Sequence, residues 1–233
     1  RIQRPPPRFC EDEGIAEKEF FEILERSRRK LFAAREKRVK PGLDDKVLAG
    51  WNGMMIGAMA MAGRITGKNS YLEVGRRAAN FVLKRMRSER GLLRTHRSGE
   101  SKLNAYLDDY AFLMMGLVDL YEATFEIQWL EEADSLAREV IARYWDVQGG
   151  GFFFTSSDHE ELIVRKKISQ DGAIPSGNSV AALSLLRLAK LTGDAALGEK
   201  GLEVIRAFGG YLNRAPAAFH MMLIALDYNF GEP

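Results

Sequence analysis

The feature that most constrains this chain is a run of apolar residues without a polar face. It occupies residues 44–68, DDKVLAGWNGMMIGAMAMAGRITGK, where two aspartates and then Trp51 and Asn52 precede an almost unbroken apolar stretch. A helix that is apolar nearly all round is buried on most sides, and this one is too short and too glycine-rich for a membrane span. Glycine inside a helix costs up to about 1 kcal/mol, so its repeated use indicates that neighbouring helices approach closely.

The same design recurs twice further along the chain. The helix end Thr-Gly at residues 66–67 recurs at residues 192–193, an offset of about 126 that places Asn52 on Asn178. A second match has an offset of about 58 and places Tyr110 at the equivalent position. Repetition of this kind indicates an array of similar helical units.

The composition describes an ordinary globular protein without excess charge. Of 233 residues, 46% are hydrophobic and 28% are charged, and Lys+Arg at 34 nearly balance Asp+Glu at 32. That balance gives no reason to expect a nucleic acid or a membrane as partner. The single cysteine, Cys10, excludes an intrachain disulfide, and no signal peptide is visible, so we expect a cytoplasmic protein.

The alternation of two helix types predicts the architecture. Amphipathic helices are predicted at residues 15–38, 70–87, 130–145 and 195–211, and apolar helices at 47–66, 106–125, 176–191 and 217–227. Such alternation is typical of αα-hairpins with one outer and one inner helix. We therefore predict an all-α fold, an incomplete (α/α)6 toroid of about four αα-hairpins at residues 15–233. An extended arm is predicted at residues 1–14, because its three prolines disfavour a helix.

Two long loops, at residues 88–104 and 146–174, join outer to inner helices. If consecutive helices are antiparallel, all inner helices begin at one face of the ring, which we call the mouth, and these loops surround it. The second loop contains three phenylalanines at residues 152–154 and an extended stretch at residues 161–167, which predict a small β-hairpin. The first loop is compatible with a strand at residues 92–95. An incomplete ring should also leave an apolar flank that is either exposed or covered by a partner.

Three aspartates at the predicted mouth are the candidate catalytic residues: Asp45, Asp109 and Asp171. Glycosidases act with two carboxyl groups on either side of the bond that they cleave. Asp45 and Asp109 each belong to an adjacent pair near the start of an inner helix, where a carboxylate can instead cap the helix. If only one member of a pair faces the ligand, the other is expected to be the cap.

Candidate ligand-binding residues are aromatic, amide or imidazole side chains near the starts of inner helices: Trp51, Asn52, Tyr106, Tyr110, Asn178 and His220. Aromatic faces offer a sugar a large contact area, with core packing as the alternative. A buried amide needs several hydrogen-bond partners, so the two asparagines imply a polar network or a ligand. The histidines are too scattered for a metal site, and no dinucleotide-binding or phosphate-binding motif occurs, so neither a metal nor a cofactor is expected.

Four motifs, in order along the chain, carry a family resemblance: DDKVLAGWNGMMIGAMA, AYLDDYAFLMMGLVDLYEATFEIQWL, GGGFFFT and DGAIPSGNSVAALSLLRL. Over residues 35–227 the chain resembles the spermatogenesis-associated, thioredoxin-domain-containing family. The resemblance implies a six-hairpin toroid similar to N-acylglucosamine 2-epimerases and six-hairpin glycosidases, preceded by a thioredoxin-like domain. This chain has no Cys-x-x-Cys motif and ends before such a ring is complete, so the thioredoxin-like domain of the full-length protein is an expected partner.

Two functions follow as hypotheses. The first is a carbohydrate-active or carbohydrate-binding toroid, epimerase-like, isomerase-like or glycosidase-like, with a sugar at the mouth. A neutral, hydroxyl-rich ligand is expected, because the carboxylates would repel an anion. The second is a non-catalytic helical scaffold or ligand-binding module that serves a thioredoxin-like redox domain.

Overall fold

Residues 4–160 and 163–231 are described by a computed structural model of the chain. Their contacts divide the chain into two units, Arg1–Asp44 and Asp45–Pro233.

The described residues of the first unit contain two helices, α1 (Pro6–Glu13) and α2 (Glu17–Glu36). The prediction of an extended arm is therefore wrong for residues 6–13, and residues 1–3 lie outside the described part. Proline has a helix-compatible φ and lacks only an N–H that needs no partner in the first turn, so a helix can begin with the two prolines found here. The predicted domain start at residue 15 stays a prediction, while the contacts divide the chain after residue 44 and place α2 in the first unit.

The second unit alternates inner and outer helices. The inner helices are α3 (Ala49–Thr66), α5 (Leu107–Thr124), α7 (Gly177–Thr192) and α9 (His220–Phe230). The outer helices are α4 (Asn69–Arg85), α6 (Ile127–Tyr144) and α8 (Ala195–Arg214), and a short 3-10 helix, Pro216–Ala218, precedes α9. Each inner helix packs against the next one, and the outer helices pack on them, so the predicted alternation is confirmed. Four hairpins are predicted, and the described residues of this unit contain three inner–outer pairs and a further inner helix.

Glycines allow the inner helices to come together. A Cβ added to Gly53 of α3 would lie 2.5 Å from the backbone carbonyl of Phe112 in α5. A Cβ added to Gly116 of α5 would overlap the carbonyl oxygen of Gly53. The close approach inferred from the glycine-rich sequence is thus found between these two helices.

Three inner helices end in the same hydrogen-bonded turn. The hydroxyl of Thr66 donates to the carbonyl four residues earlier (2.7 Å) and accepts from the N–H two residues later (3.3 Å). Thr124 and Thr192 repeat both bonds. The next residue has a left-handed φ, which is 76° at Gly193 and 56° at Phe125. The Thr-Gly repeat is therefore structural, and Phe125 occupies a conformation that favours glycine.

A small antiparallel sheet occupies the first long loop. The two-residue strands β1 (Val47–Leu48) and β2 (Arg87–Ser88) both pair with β3 (Gly91–Arg97), which forms a hairpin with β4 (Glu100–Asn104). In register, Val47 lies opposite His96, Arg87 opposite Leu92, and Thr95 opposite Lys102. The strand expected at residues 92–95 is confirmed, as part of a sheet larger than one hairpin.

The β-hairpin predicted in the second long loop is wrong. Phe152 makes an isolated bridge to Trp145, residues 163–167 form no strand, and residues 161–162 lie outside the described part. The physical reason is that the side-chain amide of Asn178 takes up both the N–H and the carbonyl of Phe152. Those backbone groups are therefore not available to a partner strand.

One flank of α3 is apolar and exposed. Trp51, Met55, Met61 and Ile65 are 64%, 52%, 58% and 78% exposed, respectively. The expected uncovered apolar flank is confirmed on this helix. Although α3 is apolar, none of the helices in the described residues is long and apolar enough to cross a membrane.

Candidate functional site

The amino-terminal ends of the inner helices meet at one end of the second unit, as expected for the mouth. Asp109, in the first turn of α5, accepts a hydrogen bond from the N–H of Gly50 in α3 (3.1 Å). A Cβ added to Gly177, the first residue of α7, would overlap the carboxyl group of Asp108 in α5. Asp171 accepts bonds from backbone N–H groups at the starts of α7 (2.9 Å) and α9 (2.8 Å).

Asp109 is a buried carboxylate that holds the mouth together. One oxygen accepts from Gly50, and the other accepts from the guanidinium of Arg94 (2.9 Å) and the N–H of Tyr106 (3.0 Å). The last bond is part of a capping box. Burial raises the pKa of Asp109, while the N–H of Tyr106 and the charge of Arg94 act in the opposite direction. The capping alternative describes this residue, and its catalytic role stays a prediction.

The other two predicted catalytic carboxylates have different surroundings. Asp45 is exposed and forms an ion pair with Arg97 (2.5 Å). It precedes β1 instead of lying in the first turn of α3, because that helix begins only at Ala49. Both oxygens of Asp171 accept backbone N–H groups, so this residue ties α7 to α9. Within the described residues, these contacts do not gather the three carboxylates at one point.

Asp108 is the carboxylate of the mouth that lacks a full set of partners. Its Oδ1 is buried and has no hydrogen-bond partner. Burial, aided by the neighbouring charge of Asp109, raises the pKa of Asp108 from 3.8 to about 6, against opposing effects of the Gly177 N–H and Arg94. A carboxyl group with a pKa near neutrality can take up or release a proton at physiological pH. Asp108 therefore replaces Asp109 as the candidate acid or base.

Tyr106 does not offer a free ring face to a ligand. Its ring stacks on Phe154 at 4.6 Å and on His159 at 5.3 Å between centroids. The guanidinium of Arg94 lies 4.9 Å from the centroid of the same ring. The role predicted for Tyr106 as a sugar platform stays untested, but these contacts give the ring a packing role.

Tyr110 and Asn178 are buried residues with their polar groups occupied. The Tyr110 hydroxyl accepts from the N–H of Leu92 (2.8 Å) and donates to Glu139 (3.0 Å). The Asn178 amide accepts from the N–H of Phe152 (2.8 Å), and it donates to the Phe152 carbonyl (2.9 Å) and to another carbonyl of the second loop (2.8 Å). The predicted polar network thus exists, and it anchors loops to helices.

The remaining predicted binding residues are more open. Asn52 donates to the carbonyl of Leu48 (2.9 Å), a local bond that does not match the role of Asn178 despite their equivalent positions. Trp51 is 64% exposed at the start of α3. His220 is exposed as the first residue of α9. Trp51 and His220 are therefore accessible from solvent.

Buried polar atoms without partners concentrate around the second long loop. Within the described residues they belong to Asp108, Thr155, His159, Arg165 and Ser184. Leaving such an atom unpaired costs about 1–3 kcal/mol, so they are normally satisfied by bound water or a ligand. All except Ser184, inside α7, lie on this loop or at the start of α5. The loop is tied to that helix start by a bond from the N–H of Leu107 to the carbonyl of Phe154 (3.0 Å).

His159 has one ring nitrogen fixed by the protein. Its Nδ1 lies 3.1 Å from the backbone nitrogen and 2.6 Å from the hydroxyl oxygen of Ser156, so the tautomer of the ring decides whether Nε2, the atom without a partner, donates or accepts. The Ser156 hydroxyl donates to Asp158 (2.5 Å). Arg143 also donates to both carboxylate oxygens of Asp158 (2.9 and 2.7 Å). The bonds from Arg143 and Ser156 lower the pKa of Asp158 to about 2. The His159 ring is thus held at Nδ1, and Nε2 is left unpaired.

Asp108, His159 and Arg165 were not among the predicted site residues. The sequence does contain a signal for the first of them, since Tyr106 and Asp109 have the spacing of an N-cap residue and its N3 carboxylate, which leaves Asp108 free. No comparable signal exists for His159 and Arg165, because their unpaired atoms result from how the loop folds. Among the described residues, no group of three or more His, Cys, Asp or Glu side chains could hold a metal ion.

The fold is an (α/α) toroid of the kind found in sugar epimerases and glycosidases. A GH76 α-mannanase from Bacteroides thetaiotaomicron superposes with a TM-score of 0.60 and 18% identity, over 73% of this chain and 47% of that one. A cellobiose 2-epimerase from Bacillus thermoamylovorans gives 0.59 and 16%, over 70% and 44%. An inactive α-1,6-mannanase variant from Salegentibacter, with two adjacent aspartates changed to alanine and bound to α-1,6-mannotetrose, gives 0.57 and 14%, over 70% and 47%.

In sequence, the chain is a homologue of spermatogenesis-associated protein 20, which confirms the resemblance carried by the four motifs. It is 38% identical to the human protein over 216 residues, which are 88% of this chain and 28% of the human protein. It is 31% identical to an uncharacterized Caenorhabditis elegans protein over 205 residues, 84% of this chain and 28% of that protein. No family model matches. The chain spans little more than a quarter of the length of the human and Caenorhabditis elegans proteins.

Proposed function

We propose that the mouth of the second unit binds a saccharide and that this toroid is carbohydrate-active. The observation that carries the proposal is the group of buried polar atoms without partners on Asp108, Thr155, His159 and Arg165. The arginine nitrogen is a donor, the threonine hydroxyl and the histidine nitrogen can act either way, and the aspartate can accept. A sugar hydroxyl is both donor and acceptor, so a hydroxyl-rich ligand is chemically matched to each of these groups.

The solved structures with this fold support a carbohydrate function. Their names describe mannanases and a cellobiose epimerase, and one mannanase is inactive after replacement of two adjacent aspartates. The present chain has the adjacent pair Asp108 and Asp109 at the start of an inner helix. We assign the two residues different roles, with Asp109 as the cap that fixes the helix start and Asp108 as the group that exchanges protons with the ligand.

The chemistry of Asp108 and His159 favours an epimerase-like or isomerase-like reaction over hydrolysis. In an open-chain sugar, a base removes the proton next to the carbonyl carbon while a donor stabilises the oxygen of the resulting enediolate, and return of the proton to a carbon completes the reaction. Asp108 suits the first role because its pKa of about 6 lies near neutrality. His159 suits the second when its unpaired Nε2 carries the proton, and Ser156 holds the ring at Nδ1.

A saccharide titration tests the proposal. A panel of mono- and disaccharides is titrated against the parent, Trp51→Ala and Asp108→Asn, with chemical shifts or heat as readout. Loss of a stacking ring or of a hydrogen bond to a charged group is worth on the order of 1–3 kcal/mol, so both variants should bind at least several-fold more weakly. The matched control is Tyr211→Ala, which removes an aromatic ring that is 58% exposed on the outer helix α8. If no saccharide shifts mouth residues, the proposal is refuted.

The alternative function is a non-catalytic scaffold for a thioredoxin-like domain. The exposed apolar flank of α3 favours it, since a contiguous apolar surface is typical of a protein interface. Met61→Asp and Ile65→Asp would test it by pull-down with the thioredoxin-like domain of a full-length homologue. Loss of a measured association in both variants, together with no saccharide binding by the parent, would establish the scaffold in place of the carbohydrate function.

A further inference from the structure

One arginine of the second long loop, Arg165, has no carboxylate partner among the described residues. Other arginines here are paired: Arg94 with Asp109, Arg97 with Asp45, and Arg143 with Asp158. Within the described residues, the guanidinium of Arg165 contacts no carboxylate, and its Nε is buried without any hydrogen-bond partner. A buried guanidinium edge without an acceptor is costly, so its persistence calls for an acceptor from outside the chain.

Arg165 is also held rigidly. Its Nη2 donates to the carbonyl of Thr155 (2.5 Å), and its guanidinium lies over the ring of Phe153 at 4.1 Å from the centroid. The following residue, Lys166, accepts a bond from the N–H of Phe154 (2.7 Å), whose carbonyl in turn binds the first turn of α5. The guanidinium is therefore fixed on the loop that is hydrogen-bonded to the start of α5. A fixed arginine loses little conformational entropy when it binds a planar anion.

The carboxylates of the mouth do not oppose such an anion. Asp45 and Asp109 are paired with arginines, and Asp171 accepts N–H groups at two helix starts, where the helix dipole favours negative charge. Asp158 is paired with Arg143, and the charge of Arg94 also acts on Asp108. A neutral ligand is expected only if the carboxylates of the mouth carry unpaired negative charge. Because most of them are paired with arginines or helix N–H groups, they do not exclude an anion.

We propose that Arg165 is the specificity residue of the mouth and that the ligand is an acidic saccharide, a sugar unit with a carboxylate. The unpaired Nε–H of Arg165 lies on the Nε/Nη2 edge, the edge through which an arginine binds a carboxylate by two parallel hydrogen bonds. The inference rests on the proposed carbohydrate function and adds the substrate class. It assigns binding, not proton transfer, to Arg165.

A matched pair of sugars provides the test. Glucose and glucuronate differ at one carbon, a CH2OH group in one and a carboxylate in the other, and are titrated at about 0.15 M salt to screen long-range attraction. We expect the parent to bind glucuronate at least about tenfold more tightly than glucose, the gain of a charge-assisted hydrogen bond. Glucose 6-phosphate is a third arm, and tighter binding of it than of glucuronate would contradict the carboxylate assignment.

Variants at Arg165 separate recognition from folding. Arg165→Gln should abolish the preference for glucuronate and weaken the binding of glucose much less than that of glucuronate, whereas Arg165→Lys, which keeps the charge but not the planar edge, should retain a fraction of the preference. The control Arg77→Gln removes an exposed arginine of the outer helix α4 and should change nothing. Circular dichroism checks the fold of each variant.

The outcomes distinguish the two proposals. Equal affinity of the parent for glucose and glucuronate, or a preference that survives Arg165→Gln, would overturn the acidic-saccharide inference and leave the carbohydrate function standing. Absence of binding by all three sugars would overturn both.

Discussion

Replacing Asp108 with asparagine should stabilise the protein at neutral pH. The structure buries this carboxyl group with one oxygen unpaired, and its pKa rises from 3.8 to about 6. A raised pKa means that the folded state holds the proton more tightly than the unfolded state does. Ionisation of Asp108 therefore destabilises the fold progressively as pH rises from about 4 through about 6, and the full effect is present above that range.

The magnitude follows from the size of the pKa difference. A tenfold change in proton affinity corresponds to about 1.4 kcal/mol, so the ionised side chain lowers the free energy of unfolding by about 3 kcal/mol at pH 7.5. Asparagine has nearly the same shape and no charge, but its amide still lacks partners, so we expect Asp108→Asn to gain about 2 kcal/mol. At pH 4 the gain should fall below about 1 kcal/mol, because Asp108 in the folded parent is then mostly protonated and, like asparagine, uncharged.

Urea unfolding of the parent and of Asp108→Asn at pH 4 and pH 7.5 measures this difference. The matched control is the neighbouring Asp109→Asn, which should destabilise the protein by about 1–3 kcal/mol at pH 7.5, because an amide offers one acceptor oxygen where Gly50, Arg94 and Tyr106 now use two. A destabilised Asp108→Asn at pH 7.5, or a gain of equal size at both pH values, would refute the reasoning. Stabilisation together with loss of saccharide binding is the pattern expected of a functional residue.

Four further substitutions have clear expected outcomes in urea unfolding. Gly53→Ala should destabilise the protein by about 1–3 kcal/mol, because its Cβ would meet the backbone of the neighbouring inner helix; an unchanged midpoint would show that these helices are farther apart. Phe125→Gly should stabilise it by about 1 kcal/mol, because it relieves a left-handed φ at an exposed residue, while Gly193→Ala at the equivalent turn should do the opposite. Asn178→Ala should lower the free energy of unfolding by about 2–4 kcal/mol, because three buried hydrogen bonds are lost. A decrease no larger than that caused by Asp171→Asn would argue against the anchoring role of Asn178.

The architecture could be predicted from the sequence because it depends on local patterns. Apolar and amphipathic helices are distinguished by the spacing of their hydrophobic residues, and their alternation was sufficient to predict an (α/α) toroid. The Thr-Gly repeat also survived, since the threonine hydroxyl, its carbonyl acceptor and the left-handed residue all lie within six residues of one another. Each of these features is set by neighbours in sequence.

The site could not be predicted in the same way, because it depends on single-residue register and on distant partners. The sequence placed the start of α5 at Tyr106, and the structure places it at Leu107. That one-residue shift makes Tyr106 the N-cap and Asp109 the N3 carboxylate, and it exchanges the roles expected within the aspartate pair. Helix ends are weakly encoded, because capping contributes only about 1 kcal/mol.

Long-range pairing decided which side chains remain available to a ligand. Asn178 forms its three bonds with a loop that precedes it by 10 to 26 residues, and these bonds removed the predicted β-hairpin. Arg94 and Arg143 form ion pairs with carboxylates, whereas Arg165 contacts a backbone carbonyl and an aromatic ring. Whether a charge is paired depends on which groups the folded loops bring within about 4 Å of it, since the interaction energy falls with that distance. No local pattern in the chain contains that distance, and so only the tertiary structure determines it.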